Sequence, residues 1–186
     1  VSSKQRRNET KLEELVMALH RDIGFDTAAC SNIELKNINC LLVKRYDRRL
    51  NGIGEVARLH QEDFAQALGL PFSMKYERNG REGARFDAQA IAHVIAQSAN
   101  PAEMRLQIIN ATVFDLMTGN VDAHAKNFSL LYRPDGGSGF SPRYDLVPTA
   151  MFEEFTDEFA YSIGSAKRLA DLTLEDFDQF LQALGV

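Results

Sequence analysis

The chain has 186 residues, of which 45% are hydrophobic and 25% charged, an ordinary globular composition that is large enough to bury a core. Its formal net charge of -5 argues against direct nucleic-acid binding, which needs a concentrated positive surface. Its apolar runs are too short to span a bilayer and no signal peptide opens the chain, so we expect no membrane association. Cys30 and Cys40 form neither a metal-ligand pattern nor a disulfide framework, which favours a reducing, cytoplasmic setting.

The N-terminal part is predicted to form a helix followed by a hairpin. After a polar start over residues 1–8, apolar residues recur at helical spacing over residues 9–23. Two short strands are then predicted, over residues 33–35 and 40–43, with a turn between them. Residues 45–55 are polar and contain two glycines, so they are interpreted as a loop.

Helices dominate the prediction for the middle of the chain. A short helix is expected over residues 62–68, and Asp87 can cap the start of another. Pro101 is tolerated in the first turn of a third helix, which we expect to end at Gly119. The apolar spacing predicts that this long helix turns four residues inward, namely Leu106, Ile109, Val113 and Leu116.

The C-terminal part alternates short strands with one helix. Strands are predicted over residues 128–132 and 140–144, around a glycine-rich turn, and a further extended piece over residues 159–163. Thr173 is a suitable cap for the last amphipathic helix. The whole pattern indicates an α+β chain that is mainly helical.

The most informative polar residues lie between Gly119 and Asp145. Asp122 and Asn127 are five positions apart in a loop, and Asp145 follows after the predicted hairpin. Phosphoryl transfer uses one carboxylate to align the attacking hydroxyl, and an amide oxygen with a second carboxylate to hold Mg²⁺ against the phosphates. A protein-kinase catalytic loop has the same Asp-x-x-x-x-Asn interval. This spacing by itself occurs often in ordinary loops, so the interpretation depends on the segments that surround it.

Four segments around these residues resemble the HipA family of Ser/Thr kinases, the toxins of bacterial toxin–antitoxin systems. They read GNVDAHAKNFSLLY (residues 119–132), PRYDLVPT (142–149), RYDR (45–48) and RLHQEDFAQALG (58–69). The resemblance runs from about Glu13 to the last helix. It implies a kinase-like C-terminal lobe over residues 48–186, with remnants of the N-terminal lobe and the hinge over residues 1–47.

The resemblance also assigns roles by position. Asp122 corresponds to the catalytic aspartate, and Asn127 and Asp145 correspond to the magnesium ligands. The nucleotide site is implied to include the hinge, the catalytic loop, a residue beside the metal aspartate and a helix glutamate that pairs with a phosphate-gripping lysine. These residues are Lys44, Arg45, Tyr46, His124, Ala125, Lys126, Asn127, Tyr144, Asp145 and Glu13.

The implied activity is transfer of the γ-phosphate of ATP, with Mg²⁺, to a protein hydroxyl. By resemblance the substrate is a translation component such as an aminoacyl-tRNA synthetase, and the partner is a small HipB-like DNA-binding antitoxin. A kinase that acts on a small molecule would share the same site. His124 also has an interpretation as a structural loop histidine, Lys126 as a solvated lysine and Glu13 as part of a charged helix face.

The sequence departs from the family pattern near its start. The family has a glycine-rich phosphate loop and a strand lysine before the helix glutamate, whereas no glycine here precedes Gly24. Lys4 and Lys11 do not lie on a plausible strand, so we expect these parts upstream of Val1, in a separate chain, or nowhere. Lys44 also stands where the family usually has glutamate. A truncated or pseudokinase-like binding module without turnover is therefore the alternative function.

Overall fold

A computed structural model describes residues 3–186, with side chains from residue 9 onward. Within that range 38% of the structure is helix and 23% is strand, so the α+β class holds but the prediction of a mainly helical chain is not confirmed. The helices are α1 (Ser3–Asp22), α2 (Phe64–Ala67), α3 (Ala88–Ala96), α4 (Pro101–Thr118) and α5 (Leu174–Ala183). None of them is long and apolar enough to cross a membrane.

The described residues contain more strand than the sequence predicted, in the form of several short strands. The strands are β1 (Cys30–Leu35), β2 (Ile38–Val43), β3 (Arg48–Leu50), β4 (Val56–Arg58), β5 (Gln61–Asp63), β6 (Ser129–Tyr132), β7 (Ser138–Phe140), β8 (Glu158–Ile163) and β9 (Ala166–Arg168). They pair antiparallel as β1–β2, β3–β4, β5–β6–β7 and β8–β9.

The N-terminal elements follow the prediction with two differences. The first helix begins at Ser3 rather than at residue 9, and residues 1–2 of the predicted polar start lie outside the described residues. The β1–β2 hairpin is confirmed, and its turn residues Lys36 and Asn37 both have positive φ, which asparagine tolerates better than most residues. The interpretation of residues 45–55 as a loop is wrong in part, because β3 forms there and pairs with β4.

The central sheet places the C-terminal half of the chain beside residues that are distant in sequence. Strand β6 lies between β5 and β7, so it pairs with a strand more than sixty residues earlier. The predicted second strand over residues 140–144 is wrong in position, since β7 ends at Phe140. Residues 141–145 instead continue as irregular chain, within which the Arg143 backbone amide donates to the Asp26 carbonyl (2.9 Å).

Helix α4 is the central scaffold, and its buried face agrees with the prediction only in part, since Ile109 and Leu116 are partly buried against the main core. Leu106 is 59% exposed, whereas the buried positions are Met104, Ile108, Ala111, Thr112, Phe114 and Asp115. Ile108 and Ala111 belong to the main core, and Phe114 belongs to a second cluster with Val16 and Met17 of α1. Burying a side chain such as Met17 stabilises the fold by roughly 1.5–3 kcal/mol, so α4 holds α1 to the rest of the chain.

The helix caps agree with the sequence. Asp87 caps α3 and Thr173 caps α5, in each case by accepting a hydrogen bond from a backbone amide of the first turn. Gly119 ends α4 with φ 73°, a left-handed conformation that glycine adopts without strain. The chain therefore leaves α4 sharply at Gly119 and enters the loop that carries Asp122.

Candidate functional site

The loop between α4 and β6 holds its own shape through short hydrogen bonds. The His124 amide donates to the Asp122 carbonyl (2.8 Å) and to the side-chain oxygen of Asn127 (2.9 Å), and the Asn127 amide donates back to the His124 carbonyl (2.8 Å). Asn127 and His124 are buried, while Asp122 keeps partial exposure. The loop thus presents the Asp122 carboxylate while the buried residues fix its backbone.

Asp145 returns to this loop, as the sequence predicted. Strands β6 and β7 form the intervening hairpin, and the Asn127 side-chain nitrogen donates a hydrogen bond to the Asp145 carboxylate. Asp145 is exposed and has φ 59°, a region in which non-glycine residues are uncommon and which costs of order 1–3 kcal/mol. Such strain persists where the surroundings impose it, and here it directs a carboxylate to the exposed side of Asn127.

Tyr76 is a close neighbour of Asp122 that sequence reasoning missed. Burial, together with the neighbouring Asp122 carboxylate, raises the pKa of Tyr76 to about 12, so its hydroxyl stays protonated. The Arg78 guanidinium lies 4.1 Å from the centre of the Tyr76 ring. Nothing local in the sequence ties this tyrosine to a loop more than forty residues later.

His124 is buried against the same segment. Its Nε2 atom lies 2.7 Å from Lys75 Nζ, and its ring meets the Tyr76 ring edge-on at 5.2 Å between centroids. Burial and the nearby Lys75 cation lower the pKa of His124, which keeps the imidazole neutral. Lys75 is a second residue that sequence reasoning missed, because only the tertiary structure brings it to this loop.

The structure gives Lys126 and Ala125 other partners. Lys126 forms an ion pair with Asp63, whose carboxylate also caps α2 by accepting from the Gln66 amide (2.8 Å). The Ala125 amide donates to the Lys75 carbonyl (3.1 Å). The charge of Lys126 is therefore compensated, and the cation next to His124 is Lys75.

The predicted hinge residues Lys44 and Arg45 already form hydrogen bonds or ion pairs within the chain. The Lys44 amide donates to the Ala29 carbonyl (2.7 Å), and the Lys44 side chain is exposed. Arg45 binds the buried Asp47 carboxylate through two nitrogens, at 2.7 and 2.6 Å. The Lys44 amide and the Arg45 guanidinium are therefore already paired within the chain.

Two tyrosines connect the predicted hinge to the loop that carries Asp122. The rings of Tyr46 and Tyr144 stack with centroids 6.0 Å apart. The Tyr144 hydroxyl donates to the Lys126 carbonyl (2.7 Å) and lies 2.7 Å from the Ser129 hydroxyl oxygen. Tyr144 thus orients the chain immediately before Asp145 and leaves an aromatic surface between the hinge and the loop.

Glu13 faces this site from α1. Burial, and then the negative charge of Asp145, raise the pKa of Glu13 to about 7. No lysine pairs with Glu13 in the part of the chain that the structure describes. The structure therefore brings Glu13 towards Asp145, and the cation expected between such carboxylates is not among the described side chains.

Asn127 and Asp145 have the chemistry of a magnesium site. No group of three or more histidine, cysteine or carboxylate side chains suited to a metal occurs among the described residues. Mg²⁺ does not require one, since in phosphoryl-transfer sites it takes one or two carboxylates and completes its shell with phosphate and water. Asp145 supplies exposed hard oxygens, whereas Asn127 contacts it through its side-chain nitrogen and its own oxygen accepts from the His124 amide. Asn127 would hold Mg²⁺ through the second lone pair of that oxygen or with its side-chain amide turned over.

The catalytic-loop hairpin, the returning aspartate and the surrounding helices define a kinase-like fold. The crystal structure of the proinflammatory kinase CtkA of Helicobacter pylori superposes with a TM-score of 0.63 over 95% of this chain and 70% of that chain. At 13% identity this likeness concerns the fold alone. The chain belongs to the HipA-like C-terminal domain family, whose sequence profile matches residues 2–186.

Individual relatives agree with this family. The serine/threonine-protein kinase toxin HipA of Shewanella oneidensis is 32% identical over 184 residues, covering 94% of this chain and 42% of HipA. Its structure in a complex with HipB and operator DNA superposes with a TM-score of 0.87 over 96% of this chain and 43% of that chain. The protein Y4mE of Sinorhizobium fredii is 37% identical over 177 residues, covering 95% of this chain and 41% of Y4mE. The chain thus spans less than half the length of these curated relatives.

Proposed function

We propose that this chain is the catalytic lobe of an ATP- and Mg²⁺-dependent Ser/Thr protein kinase of the HipA type. The observation that carries the proposal is the convergence of the buried Asn127, the partly exposed Asp122 and the exposed Asp145 in one region of a kinase-like fold. The HipA relative is named a serine/threonine-protein kinase toxin, which supports the same class of reaction.

In the proposed reaction Asp122 aligns the hydroxyl of a serine or threonine. The hydroxyl oxygen forms a bond to the γ-phosphorus, the bond from that phosphorus to the β–γ bridging oxygen breaks, and ADP leaves with the electron pair. The hydroxyl proton passes to the Asp122 carboxylate. Mg²⁺, when bound, supplies positive charge against the phosphate oxygens, and Asn127 and Asp145 are the residues that would hold it.

The nucleotide is proposed to lie between the hinge and the loop. The stacked pair Tyr46 and Tyr144 offers an aromatic surface next to the backbone of Lys44 and Arg45, where the adenine edge would bind. Glu13 faces the metal side from α1, where a lysine or the metal ion would compensate its charge. Asn127 thus lies on the phosphate side and Tyr46 on the adenine side.

The protein substrate and the partner are proposed by family likeness. HipA of Shewanella oneidensis was crystallised with HipB and operator DNA, which supports a HipB-like DNA-binding antitoxin as the partner. A translation component such as an aminoacyl-tRNA synthetase remains the predicted substrate, and a cytoplasmic location remains a prediction from the two unpaired cysteines.

A binding module without turnover is the second candidate. It is favoured by Glu13, which has no lysine partner among the side chains that the structure describes. Such a module would bind antitoxin or nucleotide through the same surface. The two candidates differ in one expectation. A kinase transfers phosphate and loses this activity when Asp122 is replaced, whereas a binding module transfers no phosphate.

The test uses the natural protein that contains this chain and two substitutions. Asp122→Asn should abolish phosphoryl transfer, measured with radiolabelled ATP, and should spare nucleotide affinity because Asp122 acts on the hydroxyl. Asp145→Ala should remove the Mg²⁺-dependent part of ATP affinity in calorimetry, because it deletes the charged ligand. Asp178→Asn, at an exposed position of α5, is the matched control and should behave as wild type.

Two results would contradict the kinase proposal. Asp122→Asn activity within a few fold of wild type would remove Asp122 from the reaction. Equal ATP affinity for wild type and Asp145→Ala, with and without Mg²⁺, would remove Asp145 from a metal site. Nucleotide binding with no phosphoryl transfer by the wild-type protein would favour the binding module instead.

A further inference from the structure

Lys75 reaches the catalytic loop from the segment between α2 and α3. Its carbonyl accepts a hydrogen bond from the Ala125 amide (3.1 Å), and its Nζ atom lies 2.7 Å from His124 Nε2. The next residue, Tyr76, lies next to the Asp122 carboxylate, which contributes to its raised pKa. Backbone and side-chain contacts therefore fix Lys75 against His124 and Ala125, which follow Asp122 by two and three positions.

The segment that carries Lys75 is also held from its other side. Glu77 accepts a hydrogen bond from the Ser162 amide (2.6 Å), and Arg78 donates to the Phe159 carbonyl (3.3 Å), so both residues are tied to β8. Lys75 is consequently supported by the folded core rather than by a free loop. A preorganised donor of this kind stabilises developing charge without reorganising during the reaction.

The contact with His124 leaves the ammonium group of Lys75 available. A lysine ammonium has three N–H donors and no acceptor, so His124 Nε2 must be the acceptor in this pair and occupies one of the three. Because Nε2 accepts this hydrogen bond, the ring is the tautomer that carries its proton on Nδ1. The rings of Phe72 and Tyr76, with centroids 5.2 and 4.9 Å from Nζ, attract the ammonium group without supplying a counter-ion.

The other cations of the site have carboxylate partners, whereas Lys75 has none among the described residues. Lys126 is paired with Asp63, and Arg45 is paired with Asp47. Lys75 has no carboxylate partner within 4.0 Å among the residues that the structure describes. A positive charge held by a neutral imidazole and two rings, against a histidine two positions after Asp122, is suited to a phosphate oxygen.

We propose that Lys75 is a catalytic residue that donates a hydrogen bond to an oxygen of the phosphoryl group during its transfer, with His124 as the residue that positions it. This inference rests on the proposed kinase function. The bonds that form and break are those given above; Lys75 contributes charge and a hydrogen bond, and keeps its proton. It takes the role that the sequence had suggested for Lys126.

The test compares three substitutions of Lys75 in the natural protein that contains this chain. Lys75→Met keeps the length of the side chain and removes the charge, so kcat should fall about 100-fold while KM for ATP stays within about threefold. Lys75→Gln can still donate to His124 but is neutral, and should lose a similar factor. Lys75→Arg keeps the charge and should recover part of kcat.

A binding measurement gives a second readout that needs no turnover. ADP with Mg²⁺ and aluminium fluoride imitates the transferring phosphoryl group, and transition-state mimics report contacts made during transfer. By calorimetry, Lys75→Met should weaken this complex at least tenfold and leave the affinity for Mg²⁺ and ADP alone unchanged. Thermal unfolding of each variant verifies folding, and Lys167→Met, on the exposed part of β9, is the control.

Different results would contradict the role of Lys75 and the kinase reaction. Wild-type kcat in Lys75→Met and Lys75→Gln, with loss of activity in Asp122→Asn, would overturn the role of Lys75 and leave the kinase proposal standing. A rise in KM at constant kcat would also overturn it, because Lys75 would then serve ground-state binding. Absence of phosphoryl transfer and of aluminium fluoride binding in the wild type would overturn both proposals.

Discussion

Replacing Arg143 with methionine should destabilise the fold far more than a surface substitution. Arg143 NH2 lies 2.9 Å and 3.2 Å from the two carboxylate oxygens of Asp115, and the two side chains are only 3% and 5% exposed. The Asn120 side chain donates a further hydrogen bond to Asp115 (2.9 Å). Burial raises the pKa of Asp115 and the Arg143 cation opposes that rise, so loss of Arg143 leaves a buried carboxylate with a single amide donor.

The magnitude follows from this geometry. Removing one partner of a buried ion pair costs about 3–5 kcal/mol. We expect about 3 kcal/mol for Arg143→Met, because Asn120 still donates to Asp115 and methionine replaces most of the apolar stem. In a domain of 186 residues, a change of 3 kcal/mol corresponds to a fall in Tm of roughly 6–12 °C.

Urea unfolding at pH 7, followed by far-UV circular dichroism, measures this free energy. Asp115→Asn should cost a similar amount, since it leaves the guanidinium without its counter-ion. The double substitution Arg143→Met with Asp115→Asn should cost about 3 kcal/mol less than the sum of the two single changes, because neither charge is then left alone. Arg168→Met removes an exposed pair with Asp157 and is the control, with an expected change below about 0.5 kcal/mol.

A small loss of unfolding free energy in Arg143→Met, or additive losses in the Arg143 and Asp115 variants, would contradict this prediction. A destabilisation below about 1 kcal/mol for Arg143→Met would show that the pair contributes no more than a surface ion pair. Additive single changes would show that Arg143 and Asp115 are not energetically coupled. A large effect in Arg168→Met as well would indicate a general response of the chain to loss of arginine.

Two further predictions concern pH and the activity of the chain by itself. Burial and the Arg143 cation lower the pKa of His20 to about 4, so its contribution to stability is complete above pH 6.5 and is lost as the pH falls towards 4. Between pH 7 and pH 5 the unfolding free energy of wild type should therefore fall about 2 kcal/mol more than that of His20→Gln; equal slopes in urea unfolding would contradict this. Residues 1–186 alone should bind ATP weakly with Mg²⁺ but phosphorylate no protein at a useful rate, because no glycine-rich loop precedes Glu13 to hold the other side of the triphosphate. Comparable labelling by this chain and by the natural protein that contains it would show that the chain lacks nothing essential.

Several features of the structure could be predicted from residues that are neighbours in the sequence. The cap at Asp87 and the left-handed end of α4 at Gly119 depend on backbone groups within a few residues, so the residue types predict them directly. The β1–β2 hairpin is likewise local. The interval between Asp122 and Asn127, with a hairpin before Asp145, indicated the site because the hairpin returns the chain beside Asn127.

The tertiary structure alone decided the features that depend on distant partners. Apolar spacing predicted Leu106 as an inward residue of α4, but Asp115 is buried instead, because Arg143 and Asn120 compensate its charge. Lys126 looked like the cation of the loop from its position, yet Asp63, brought close by the pairing of β5 with β6, takes up its charge. Lys75 stands beside His124 through contacts across 49 positions of the sequence. Helix periods and caps are set by neighbours along the chain, whereas the burial of a charge depends on a partner that only the folded chain supplies.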